Sequence, residues 1–225
     1  MLCIETSALP FSVALTKGDQ LILEIISSTE HRLARDITIF IKDLMQKTGY
    51  FLGDLEAIAV SSGPGSYTGL RIGMSVAKGL CFGLDIPLIT IATTKSIASK
   101  LIELGKGEYA QKVYLSMIDA RRMEVYAEGF DPMLNPIFPL QPLIFPEQIT
   151  LLDSFIDYSI IIGGDGSDKR MSYLSAFNMI NTSHVQTASD LITLAQQAFE
   201  KKDFDNQDTA VPIYCKAPNI TTSKK

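Results

Sequence analysis

The chain has 225 residues, 46% of them apolar and 20% charged, which is enough apolar material for a buried core and excludes a disordered chain. Its net charge of −5 excludes a protein built chiefly to hold a polyanion, because counterion release needs several basic contacts. Cys3, Cys81 and Cys215 are scattered among apolar residues, without a disulfide frame or metal-ligand spacing, and read as reduced thiols of a cytoplasmic protein.

This length fits one large domain or two unequal lobes. A mean hydropathy of +0.17 hints at apolar surface reserved for a partner. The first apolar run is strand-length, interrupted by Glu5 and not preceded by basic residues, so no signal peptide is expected. Leu80 to Ala92 contains Asp85 and Pro87 and is too short to span a bilayer, so no membrane partner is expected either.

Leu2 to Thr6, Phe11 to Thr16 and Gln20 to Ser27 are short β-rich runs separated by Ser7-Ala-Leu-Pro10 and Lys17-Gly18-Asp19, the pattern of an antiparallel meander. Leu33, Ile37, Phe40, Ile41 and Leu44 recur at helical spacing, and Gly49 supplies a stop. Ala57 to Ser62 reads as a strand entering a glycine-rich turn. Leu70, Met74, Ala77 and Leu80 then form the stripe of a helix running to about Gly83. Ile86 to Ile91 is a further strand, and Thr94 to Leu104 a helix ending at Gly105, with Gly105-Lys-Gly107 as a linker. Val113 to Asp119 and Arg122 to Phe130 suggest a hairpin turning at Asp119-Ala-Arg121. Asp131 to Pro146 holds five prolines and is expected to be irregular. Ser159 to Ile162 reads as a strand entering Gly163-Gly-Asp-Gly166, Asp168 to Phe177 as a helix, and Ala188 to Lys202 as an amphipathic helix before an extended tail.

Three turns carry candidate chemistry. Glu5-Thr6-Ser7 sits between two strands and reads either as an oxyanion-binding turn or as an ordinary polar hairpin. Gly63-Pro-Gly-Ser-Tyr-Thr-Gly69 lies at a strand-to-helix junction, where free amides and the helix dipole favour an anion, while glycines also permit close approach of another backbone. It lacks the Lys-Ser/Thr ending of a P-loop and the G-x-S-x-G of a nucleophile elbow, and spacing leaves anion cradle and contact surface both open. Gly163 to Gly166 is a second phosphate-turn candidate, or a plain left-handed turn. The histidines, His31 and His184, form no H-x-x-x-H or H-E-x-x-H pair, which disfavours a metal hydrolase.

Leu2-Cys-Ile-Glu-Thr-Ser7 with Ser12-Val-Ala14, the block Ser62-Gly-Pro-Gly-Ser-Tyr-Thr-Gly-Leu-Arg-Ile-Gly73, Asp119-Ala-Arg121 with Glu124-Val-Tyr126, and Pro212-Ile-Tyr214 together resemble the bacterial TsaB (YeaZ) family. The four blocks fall in family order over nearly the whole chain. The resemblance implies an α/β, two-lobed actin/hexokinase-type ATPase fold in βββαβαβα order with a smaller second lobe. It implies a noncatalytic partner, required with TsaD and TsaE for threonylcarbamoylation of adenosine 37 in tRNAs reading ANN codons. TsaD-like proteins carry their metal on an H-x-x-x-H helix, which this chain lacks, and a glycoprotease-type peptidase would need that metal too. Two positions depart from the family pattern: Glu5 stands where many relatives have Asp, and Lys216 where many have Arg.

The resulting expectations are a first lobe over 1–104, with helix 188–202 as its candidate completion, a second lobe over 108–187, and a tail over 203–225. Gly69, Leu70, Ile72, Gly73, Met74, Val76 and Ala77 are expected at a contact with TsaD, beside the Arg32 to Lys47 helix, with a homodimer when alone. Glu5, Thr6, Ser7, Gly163, Gly164, Asp165 and Gly166 are expected as a vestigial nucleotide site. No catalytic or metal-binding residue and no tightly bound cofactor is expected, ATP/ADP and metal belonging to the partner complex, with tRNA engaged indirectly. An independent nucleotide-dependent enzyme and a zinc peptidase are the competing classes.

Overall fold

Two five-stranded mixed sheets organise the chain, one from each half of the sequence. The computed structural model describes residues 1–27, 33–105 and 111–216. The expected linker beyond Gly105, His31 and the end of the tail lie outside them.

The first sheet has the order β3-β2-β1-β4-β5. Its meander is β1 (Leu2–Glu5), β2 (Ser12–Lys17) and β3 (Gln20–Ile26), followed by α1 (Leu33–Thr48), β4 (Ile58–Gly63), α2 (Tyr67–Leu84), β5 (Leu88–Ala92) and α3 (Thr93–Leu104), in the expected βββαβαβα order. β1 pairs antiparallel with β2 and parallel with β4, the geometry of a hairpin joined to a helical crossover. α1 stops where Gly49 takes φ +76° and its amide reaches the Met45 carbonyl at 3.0 Å. α2 ends two residues beyond Gly83, at Asp85, whose φ of 54° makes the left-handed cap.

Strand alternation divides the core. Leu2 and Ile4 of β1 join Ile37, Ile41 and Leu44 of α1 and Met74 and Ala77 of α2 on one face. Cys3, Ala14 and Ala59 meet Leu191, Leu194 and Ala195 on the other. The C-terminal helix α4 (Ile192–Lys201), preceded by a 3-10 turn at Ala188–Leu191, therefore completes the first sheet's far face.

The second sheet has the order β10-β9-β6-β7-β8, from β6 (Lys112–Asp119), β7 (Glu124–Phe130), β8 (Pro136–Ile144), β9 (Ser159–Gly163) and β10 (Met179–Asn181). α3 joins the lobes, with Ile97, Ala98 and Leu101 packed among Tyr114, Ile118 and Ile161.

Two expectations need correction here. The proline-rich stretch is not irregular: β8 runs through Pro136, Pro139 and Pro142 as an edge strand, where a missing N–H costs no ladder bond on the open side, and its register against β7 shifts twice. Asp168 to Phe177 is not a helix but a 3-10 stretch, Asp168–Tyr173, with Leu174 and Phe177 turned into the second core.

Candidate functional site

β1 delivers Glu5, Thr6 and Ser7 to the cleft between the lobes, and all three are buried. Glu5 Oε1 accepts the Ser7 amide at 2.6 Å and the Ser61 hydroxyl at 2.8 Å, while its Oε2 has no partner. Burial pushes the Glu5 carboxyl up to about 7 against the pull of those bonds, so a proton is held where a charged carboxylate would be poorly solvated.

From the second lobe, β9 delivers Gly163 to Gly166. Gly164, at φ +104°, donates its amide to His184 O at 2.7 Å, and a Cβ there would lie 2.2 Å from Met117 O. Gly166 donates to Met117 O and Ser167 to Gly164 O. Asp165 accepts from the Asp119 amide at 3.2 Å, and its own pKa is raised, chiefly by burial.

The side chain that connects the two turns is Gln186, which sequence reasoning missed. Its Nε2 donates to Ser7 Oγ at 3.3 Å, and it also hydrogen-bonds the Asp165 side chain. Beside it, Ala188 donates to Ser12 Oγ at 2.7 Å, and Asp190 accepts from His184 and from the Thr187 amide. The Thr187-to-Asp190 capping spacing is the one local signal that this segment is ordered.

The structure thus brings the expected nucleotide residues together, but most of their backbone donors are engaged, while the buried Thr6 hydroxyl has no partner. The amides of Ser7, Gly164, Gly166 and Ser167 all donate inside the chain. A phosphate chain, of the kind the fold family implies, would have to displace those bonds beside two buried carboxyls, and the residues do not fit it. Among the described residues, no three His, Cys, Asp or Glu side chains converge as a metal ion requires.

The glycine-rich turn also faces inward. The Ser66 amide donates to Ser7 O at 2.6 Å, and Ser66 Oγ caps α2 by accepting the Gly69 amide. A Cβ on Gly65 would lie 2.5 Å from Ser7 O, one on Gly69 2.1 Å from Thr6 O, and one on Gly73 2.2 Å from Thr6 Oγ1. The small-residue face is therefore where α2 meets its own β1–β2 turn. Of the seven residues expected at a partner contact, Gly69, Leu70, Gly73, Met74 and Ala77 are buried within the chain, and Ile72 and Val76 remain half-buried at the surface.

The outward face of α2 offers a different feature. Between α1 and α2 lies an apolar groove of about 870 Å³, lined by Ile41, Met45, Phe51, Val76, Gly79 and Leu80 among others. Phe51 is 76% exposed on its rim, and Phe82, further along α2, is 85% exposed. An exposed aromatic on the rim of an apolar groove marks a surface suited to be covered by another protein. The helix hydrophobic period extends onto Val76 and Leu80, but Phe51 and Phe82 carry no sequence signal of exposure.

The family model for "TsaD: tRNA N6-adenosine threonylcarbamoyltransferase" matches residues 24–132. The "tRNA threonylcarbamoyladenosine biosynthesis protein TsaB" of Haemophilus influenzae is 34% identical over 127 residues, covering 56% of this chain and 51% of that one. The protein of the same description from Bacillus subtilis is 28% identical over 170 residues, covering 74% and 72%. The matched stretch thus spans about half the length of the first of these relatives. Among solved structures, a Pseudomonas aeruginosa protein described as similar to peptidase YeaZ superposes with a TM-score of 0.79 at 24% identity, over 96% of this chain and 98% of that one. YeaZ from Pseudomonas aeruginosa superposes at 0.76 with 25% identity, over 95% and 98%. An inorganic polyphosphate/ATP-glucomannokinase from Arthrobacter reaches 0.50 at 10% identity over 88% and 98%, and with the two sheets marks the two-lobed actin-like fold. In sequence and in the course of its backbone, the chain is similar to the TsaB (YeaZ) proteins.

Proposed function

We propose that this chain acts in the cytoplasm as a noncatalytic partner of a TsaD-type transferase, required with it and with TsaE for threonylcarbamoylation of adenosine 37 in tRNAs reading ANN codons. The observation that carries this reading is the apolar groove between α1 and α2 with Phe51 exposed on its rim, a surface suited to another protein. The TsaB relatives named for this pathway support it. The occupied donors of the cleft favour a partner over an independent nucleotide-dependent enzyme, so ATP and metal belong to the assembled complex and no cofactor is held tightly by this chain alone. Without its partner, the same groove pairs two copies of the chain, and tRNA is engaged through the complex.

Reconstitution tests the reading. TsaD, TsaE, tRNA, ATP and threonylcarbamoyl-adenylate are combined with and without this chain, and modified adenosine is measured. Modification that depends on the chain is expected, and equal modification without it contradicts the proposal.

A further inference from the structure

Beyond α4 the described residues 202–216 form no helix or strand, yet they are tied down along their course. Asp205 forms an antiparallel bridge with Leu88 at the open edge of β5, and its carboxylate accepts the Thr90 amide at 2.7 Å. Gln207 donates to Ile86 O at 3.1 Å, and Lys78 of α2 donates to Ala210 O at 3.1 Å. The Ile213 amide donates to Ser62 O at 2.7 Å, and a Cβ on Gly63 would lie 2.7 Å from Ile213 O, so Gly63 leaves room for the segment to cross. Tyr214 then closes a three-part stack. Its ring lies 5.0 Å from that of Tyr67, Arg71 sits 4.0 Å over Tyr67, and Arg71 Nε donates to the Tyr214 hydroxyl at 3.0 Å.

Two residues later the chain has left the first lobe. Lys216 forms an ion pair with Glu124, the first residue of β7, and the half-buried Cys215 feels the charge of Glu128. Glu124, Tyr126 and Glu128 alternate along β7 and share one face. That face is also where the first lobe meets the second from the other side, because Thr94 at the start of α3 donates to Glu128.

We propose that residues 205–216 are an interlobe latch, anchored on α2 through Tyr214 and closed on β7 through Lys216, which holds the second lobe at a fixed angle to the first. Gln186 joins the lobes at the floor of the cleft, and the latch joins them at its rim. Because Tyr214 grips the helix that forms one wall of the apolar groove, the latch also ties that wall to the second lobe. The inference concerns the isolated chain and stands or falls independently of the partner reading.

Hydrogen exchange of the full-length chain, followed by mass spectrometry, tests it. In the double variant Tyr214→Ala/Lys216→Ala, amides of the turn 119–124 and of β7 are expected to exchange at least about tenfold faster, with β1 and β4 unchanged. Glu124→Gln leaves the hold on α2 intact and removes a partly exposed pair, so about a threefold rise at the same amides is expected. The exchanged pair Glu124→Lys/Lys216→Glu is expected to restore protection. Faster exchange at Ile213 with second-lobe rates within twofold of wild type in both the double variant and Glu124→Gln overturns the latch, as does failure of the exchanged pair to restore protection.

Discussion

Burial of the Glu5 carboxyl, with one oxygen held by Ser7 and Ser61 and the other unpartnered, sets a measurable pH dependence. The group titrates from 4.5 in the unfolded chain and near 7 in the folded one. Below about pH 4.5 it is protonated in both states and contributes no slope. Between the two values the folded state binds the extra proton, so stability falls as pH rises and levels off above about 7, for a total near 3 kcal/mol. Glu5→Gln keeps an oxygen acceptor for Ser7 and Ser61 and has no proton to lose. Denaturant melts at pH 5 and pH 8 are expected to show the variant gaining on wild type by up to about 3 kcal/mol, and parallel pH profiles would refute the buried neutral acid. None of this was legible in the residues alone. Glu5-Thr6-Ser7 read either as an anion-binding turn or, by preference, as a polar hairpin, because the bond from Ser61 lies 56 positions away and Gln186 reaches Ser7 from 179 positions away.

At the level of elements, α2 separates two kinds of glycine that look alike in sequence. Gly65, Gly69 and Gly73 recur every four positions and face Thr6 and Ser7, while Gly79 faces open space, with nothing within 4 Å of an added Cβ. Gly69→Ala forces a methyl onto the Thr6 carbonyl and is expected to destabilise by about 1–3 kcal/mol, whereas Gly79→Ala is expected to stabilise by about 0.5–1 kcal/mol through helix propensity alone. Thermal melts of the two variants moving in the same direction would contradict this division. A four-residue spacing of small residues shows that something approaches closely but not whether it is the chain itself, which is why the inward face of α2 read as a partner contact. The helices and the βββαβαβα order were legible because their apolar period is long and their stops are glycine or left-handed caps. β8 was hidden because prolines mask a strand that needs ladder bonds on one side only, and β10, three residues long, is ordered by pairing with β9 rather than by its own pattern.

Across the whole molecule, the two lobes are joined by α3, by Gln186 and the turns it bridges, and by the C-terminal strap, while the apolar groove lies on the outside of the first lobe. The region with the polar chemistry is closed on itself, and the region left open is apolar. On the proposed function, the protein works through the α1–α2 face rather than through its cleft. Gly79→Arg introduces a charged side chain into the groove from a position where an added Cβ meets no atom within 4 Å, so it separates docking from folding. The direct measurement is calorimetric titration of a TsaD-type partner with wild type, Gly79→Arg and Glu5→Gln. Glu5→Gln is expected to bind as wild type does, and Gly79→Arg at least about a hundredfold more weakly with an unchanged Tm; wild-type affinity in Gly79→Arg would contradict docking through this face.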